Sequence, residues 1–165
     1  MKQIQRVMAL FLVLVSVDLD GVQAQTSDDW PMVAANPQRT SWTPEEVRGH
    51  LSVEWYRPIE PFIHPKFQVI AANGMLYISA ADGLYALSAA NGDVVWVYPT
   101  ELPLGNSPTI ATVDGTSIAY VGGLDRRIHA IEANPSVGSL PVDPTTGFRI
   151  NNGVIWTCLL YTSDA

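Results

Sequence analysis

The 165-residue sequence holds three histidines, His50, His64 and His129, and one cysteine, Cys158. No two of the histidines stand at a spacing that brings a pair of imidazoles to one metal ion. The nucleophile elbow Gly-x-Ser-x-Gly, the zinc helix His-Glu-x-x-His and the phosphate-binding glycine loops are absent. Gly122-Gly123 lies between two strand-like runs with no helix after it, so it cannot cradle a phosphate. The chemistry left is that of a ligand surface. Aligned on an internal repeat, His64 and Lys66 match Gly105 and Ser107, and Asp82 matches Asp125 and Arg126. These turn positions collect on one face, so His64, Lys66, Asp82, Ser107, Asp125 and Arg126 form a candidate binding rim. The same residue types also suit hairpin tips that do no more than face water. Asp125-Arg126-Arg127 offers two cations to an acidic partner, and His129 falls in the slot of Tyr85, where it reads as a packing substitution.

The two ends of the chain frame this rim differently. Lys2 and Arg6 precede an apolar run from Val7 to Val15, and Val22-Gln23-Ala24 closes it with small residues at the positions read by signal peptidase. Residues 1–24 are therefore expected to be a secretory signal peptide, too short for a stable membrane span, which places the mature chain in the periplasm or outside the cell. The last eight residues, CLLYTSDA at 158–165, resemble an in-frame translation of a transposon-end sequencing adapter. That likeness implies a reading frame from metagenomic reads, with 158–165 an artefactual tail and a natural chain continuing past Thr157. Cys158 then belongs to the tail, and the remainder has no disulfide or thiolate chemistry. A formal charge of −7, 47% hydrophobic and 15% charged residues exclude disorder and leave no basic face for a nucleic acid.

Four apolar runs between Val69 and Tyr98 are separated by Asn73-Gly74, Asp82-Gly83 and Asn91-Gly92. Such pairs supply the positive φ of tight hairpins, and runs of this length are strands, so the segment reads as a four-stranded antiparallel meander. Alternation puts Leu76 and Ile78 on one face with Met75, Tyr77 and Ser79 on the other, and sets Val95 and Val97 against Val94, Trp96 and Tyr98. A second copy starts at Ile110, where IATVDG answers VIAANG at 69–74 with an offset of about 41 to 43 residues, a spacing typical of repeat architectures. Its last strand, at 153–156, is delayed by a Pro-rich insertion over 134–150, read as a surface loop. Upstream, Trp55-Tyr56-Arg57-Pro58 answers Trp96-Val97-Tyr98-Pro99 as a closing strand without its sheet. Thr43-Pro44-Glu45-Glu46 carries the cap, proline and acidic residue of a short connector helix that Gly49 would end.

The run Ala86-Leu87-Ser88-Ala89-Ala90-Asn91-Gly92-Asp93-Val94-Val95-Trp96 resembles the tryptophan-docking repeat, Ala-x-Asp-x-x-Thr-Gly-x-x-x-Trp, of the β-propellers named for pyrroloquinoline quinone (PQQ). Ser88 and Asn91 replace the usual Asp and Thr. Asp29-Trp30-Pro31 and Asn36-Pro37-Gln38-Arg39-Thr40 resemble the opening of exported members. The resemblance implies an all-β partial propeller of four-stranded antiparallel blades. Its parts are a connector at 25–50 and PQQ-like repeats over 51–157, namely a closing strand at 51–57, a blade at 66–98 and a blade at 108–157. It further implies that Ala86, Gly92 and Trp96, with Trp55 and Trp156 at equivalent places, lock neighbouring blades by stacking a tryptophan on the next blade's glycine turn. The expected function is a non-catalytic scaffold with a protein or polymer partner at the rim, like the family member that scaffolds outer-membrane barrel assembly, though the lipid-accepting cysteine of that scaffold is missing here. The alternatives are a dehydrogenase holding PQQ and calcium on the propeller axis, with an Asp as base on an alcohol or sugar, and a propeller fused to a further module.

Overall fold

The computed structural model describes residues 29–46 and 48–160. The expected signal peptide and residues 161–165 of the expected tail lie outside the described residues. Eight strands form two four-stranded antiparallel sheets, each a simple meander. The first holds β1 (Ile70–Ala72), β2 (Met75–Ala80), β3 (Gly83–Ser88) and β4 (Val94–Pro99), and the second β5 (Thr109–Val113), β6 (Thr116–Gly122), β7 (Arg127–Glu132) and β8 (Val154–Leu159). The turn chemistry explains the correspondence. Asn73 and Gly74 have φ of 54° and 71°, Asp114 and Gly115 have 48° and 77°, and each pair joins directly opposed residues, Ala72 to Met75 and Val113 to Thr116. These are two-residue hairpins with both central residues left-handed, the geometry that matches strand twist. The second turn of the first sheet works otherwise. Its loop is Ala81-Asp82, and Gly83 is needed because a Cβ there would strike the Tyr98 carbonyl.

The sheets stack through one shared core. Tyr77, Leu84, Ala86 and Trp96 from the first sheet meet Ile110, Ala119, Val121 and Ile131 from the second. On the far face of the first sheet Leu76, Ile78, Tyr85, Leu87, Val94 and Val97 form a second cluster, covered by Ile59, Ile63 and Phe148. Alternation along β2 is as the sequence implies, but along β4 it breaks. Ala86 opposes Trp96 while Leu87 opposes Val94, so Val95 is an extra residue in a bulge and joins the shared core rather than the Val97 face. Ile155 occupies the matching bulge of β8, because Ala130 opposes Trp156 and Ile131 opposes Val154. A bulge re-aims the side chains beyond it, and in each sheet it turns the tryptophan toward the same side.

Three segments depart from the sequence expectation. Residues 51–57 run extended without a ladder; a strand exists only by its neighbour's hydrogen bonds, and here the side chains make the contacts instead. Trp55 Nε1 donates to the Ala89 carbonyl at 3.1 Å and Arg57 Nε to that of Gly92 at 2.7 Å, while Arg57 pairs with Asp93. No helix forms at 43–46 although Thr43 Oγ1 accepts the Glu45 N–H at 3.3 Å, since a helix of under two turns is not self-sustaining. The 134–150 insertion is ordered and returns to the first sheet. Val97 donates to the Arg149 carbonyl and accepts from the Asn151 N–H, both at 2.8 Å, which places Ile150 beside Val97 as a parallel bridge and Phe148 against Tyr85. The free edge of β4 draws the insertion in, because its unpaired amides and carbonyls need partners.

Candidate functional site

Both sheets carry a carboxylate in the turn between their second and third strands and a ring residue just inside the third strand. In the first sheet Tyr85 donates its hydroxyl to Asp82 Oδ2 at 2.8 Å. In the second, His129 Nε2 lies 3.3 Å from Asp125 Oδ1 and 3.2 Å from Oδ2. The substitution of imidazole for phenol adds a second polar atom, and it is used: Nδ1 lies 3.0 Å from the Tyr98 hydroxyl of the facing sheet, with the two rings edge to face at 5.7 Å. Tyr98 is two residues beyond Trp96 and so shares its face of β4. One tautomer satisfies the whole chain. Nε2–H donates to Asp125, and the Nδ1 lone pair accepts the Tyr98 O–H.

His129 is only 6% exposed, so this chain of three groups spans the interior between the sheets. Burial, and then the charge of Asp125, raises the Tyr98 pKa above its ordinary value, with Arg127 opposing. A raised phenol pKa keeps the hydroxyl protonated at neutral pH. Tyr98 therefore serves here as a hydrogen-bond donor across the sheets and not as a phenolate nucleophile.

A cleft of about 500 Å³ opens beside this chain, lined by Tyr98, Thr100, Glu101, Arg126, Arg127 and His129 among others. The connector after β4 builds one wall. It is laced to the hairpin ends of both sheets by Thr100 N–H to Asp82 O at 2.9 Å, Leu104 N–H to Ala80 O at 3.4 Å and Leu124 N–H to Pro103 O at 2.9 Å. The β6–β7 turn builds the other wall, where Arg126 takes φ of 63° and Asp125 Oδ1 accepts the Arg127 N–H at 3.1 Å.

Of the candidate rim, the structure brings Asp125 and Arg126 to the cleft. Asp82 is committed to Tyr85 at the equivalent turn. His64 and Lys66 lie on the earlier connector, where His64 Nδ1 accepts the Lys66 N–H at 3.2 Å and its ring meets Phe67 at 5.1 Å. Ser107 uses its hydroxyl to accept the Gln68 N–H at 2.7 Å, which ties the two connectors together. Sequence reasoning did not single out Tyr98, Thr100 or Glu101. The available signal was the alternation that places residue 98 on the face of Trp96.

The aromatic positions of the repeat behave as a series. The Trp55 ring lies over Gly92, which has φ of 70°. Trp96 is fully buried in the shared core, opposite Ala86 in the ladder. Trp156, opposite Ala130, rests beside Tyr120 at 5.9 Å on the outer face of the second sheet and stays 42% exposed. Among the described residues no three His, Cys, Asp or Glu side chains gather as a cation site, and no helix is long and apolar enough to cross a membrane.

The class that fold and cleft define is an all-β protein of two stacked four-stranded antiparallel meanders. The chain matches no protein-family model and no curated protein.

Proposed function

We propose that this chain is part of an exported, PQQ-like β-propeller scaffold, in which the sheets are successive blades and the connector-and-turn end is presented to a protein or polymer partner. The observation that carries this reading is the tryptophan series. Trp55 covers the glycine turn of the first sheet, Trp96 is buried between the first sheet and the second, and Trp156 takes the same place on β8 with its face open. Each step uses the same contact in the same direction. A head-to-tail contact of this kind either closes into a ring or continues without end, and closure is what a propeller achieves. The basic start and apolar run of residues 1–24 support export. The scaffold role is favoured over catalysis because the one buried acid–base chain, Asp125–His129–Tyr98, is saturated by its own members and holds its phenol protonated.

Sequencing the source DNA across the codon for Thr157 tests this. The expected frame continues through further repeats ending in tryptophan. A frame that adds a vicinal cysteine pair or an acidic and asparagine cluster on the axis would replace the scaffold with a quinone-dependent dehydrogenase, and one that stops without more repeats would remove the propeller.

A further inference from the structure

We propose that the cleft between β4 and the β6–β7 turn binds a hydroxylated carboxylate, the chemistry of a uronic acid unit. The inference needs only the two sheets and stands apart from the scaffold reading. Three observations converge. Arg126 and Arg127, both exposed, stand side by side on the wall of the cleft, and neither guanidinium has a hydrogen-bond or ion-pair partner among the described residues. In a chain of formal charge −7, two adjacent uncompensated cations are a local exception that attracts an anion. On the opposite wall the Thr100 hydroxyl is shielded from solvent and has no partner. A buried hydroxyl without a partner loses hydrogen-bond energy that a ligand group restores.

The remaining polar groups narrow the ligand. Tyr98, His129 and Asp125 satisfy one another and form a fixed floor, so they do not compete for the anion. Glu101 lines the same cleft with no ion-pair partner among the described residues, and a carboxylate there accepts from a ligand hydroxyl while repelling a ligand that is anionic throughout. The guanidinium fork matches a planar carboxylate with two parallel bonds. One end of the site thus takes a carboxylate, and the other takes hydroxyls. A volume of about 500 Å³ is in the usual range for small-molecule sites. None of the groups invoked lies in residues 158–165.

The test is a titration of the full chain at low ionic strength, followed by backbone amide shifts and calorimetry, with D-galacturonate, neutral D-galactose, inorganic sulfate and oligogalacturonate. The expected result is saturable binding of galacturonate that moves the amides of Thr100, Arg127 and His129, with galactose and sulfate weaker by roughly tenfold or more. R126Q and R127Q alter exposed side chains, and each weakens galacturonate by roughly tenfold. T100V, nearly isosteric, weakens galacturonate while leaving sulfate unchanged. Tighter binding of the oligomer than of the monomer identifies the end of an acidic polymer as the source, and equal binding a free sugar acid; both support the shared chemistry. Sulfate binding as well as galacturonate, shifts confined to other parts of the chain, or no shift at all would overturn it, whatever the source DNA shows.

Discussion

Gly92 lies beneath the ring of Trp55, so close that a Cβ on residue 92 would enter the six-membered ring. The glycine is required twice over, once by this contact and once by its φ of 70°. Gly92→Ala is expected to cost about 2 kcal/mol, part from the left-handed backbone and part from displacing the indole. In a Trp55→Ala background only the backbone part remains, so the cost of the same change should fall to about 1 kcal/mol. Urea unfolding of the four proteins measures the coupling. Equal costs in both backgrounds would mean that the ring makes no energetic contact with the turn.

Trp96 is buried on every side, yet its Nε1 has no hydrogen-bond partner. The comparison with Trp55 explains this. Trp55 Nε1 reaches the Ala89 carbonyl, whereas the carbonyl at the corresponding place in the second sheet, Ala133, accepts the Tyr77 hydroxyl at 3.3 Å. Trp96→Ala is expected to lose ~3 to 5 kcal/mol, the range for deleting a large buried aromatic. Trp96→Phe removes the unpartnered donor along with some volume, and should cost less than half as much. A phenylalanine variant as unstable as the alanine one in denaturant melts would show that the indole N–H is satisfied in solution.

The strand pattern was legible in the sequence because turn chemistry is local. Asn73-Gly74 and Asp114-Gly115 dictate hairpins wherever they occur between apolar runs, and the carboxylate and ring pairs Asp82 with Tyr85 and Asp125 with His129 fall out of the repeat alignment. The bulges at Val95 and Ile155 were not legible, since an extra residue leaves the composition of a strand unchanged and shows only in its register. Tyr98 escaped for another reason. Its partner is on the other sheet, and nothing within 31 residues of sequence announces that meeting. The extended course of 51–57 and the return of the insertion to β4 likewise depend on which edges are free, a property of the assembled sheets.

Asn151 marks that return. It is fully buried, its Nδ2 donates to the Glu132 carbonyl at 2.8 Å and its Oδ1 accepts the Gly153 N–H at 2.9 Å, while its backbone N–H bonds Val97. One side chain thereby fixes the insertion to both sheets. Asn151→Ala leaves two buried backbone groups without partners and is expected to cost about 2 kcal/mol. Hydrogen exchange gives the sharper readout. The Val97 amide, held by the Arg149 carbonyl, should exchange much faster in the variant, while that of Tyr77 within β2 changes only as global stability does. Unchanged protection at Val97 would show that the insertion is held by other contacts.

Tyr98 links the sheets through His129, and its raised pKa makes that link sensitive to alkali. Burial first and the Asp125 charge second favour the neutral phenol in the folded state. Burial shifts Tyr77 the same way, and burial with the Asp82 bond shifts Tyr85. In the unfolded chain tyrosine ionises near its ordinary value of roughly 10, so on raising the pH the unfolded state loses the proton first. The stability carried by these groups is fully present below that value and is lost as the pH climbs toward the raised folded-state values. Denaturant midpoints should therefore stay level through neutral pH and fall steeply above about pH 10. Tyr98→Phe is expected to cost about 1 kcal/mol at neutral pH through the lost bond to His129, and to make the alkaline fall shallower, because one of the three linked protons is gone. A variant with the same alkaline slope as the parent would place the Tyr98 hydroxyl in water, and the cross-sheet bond with it.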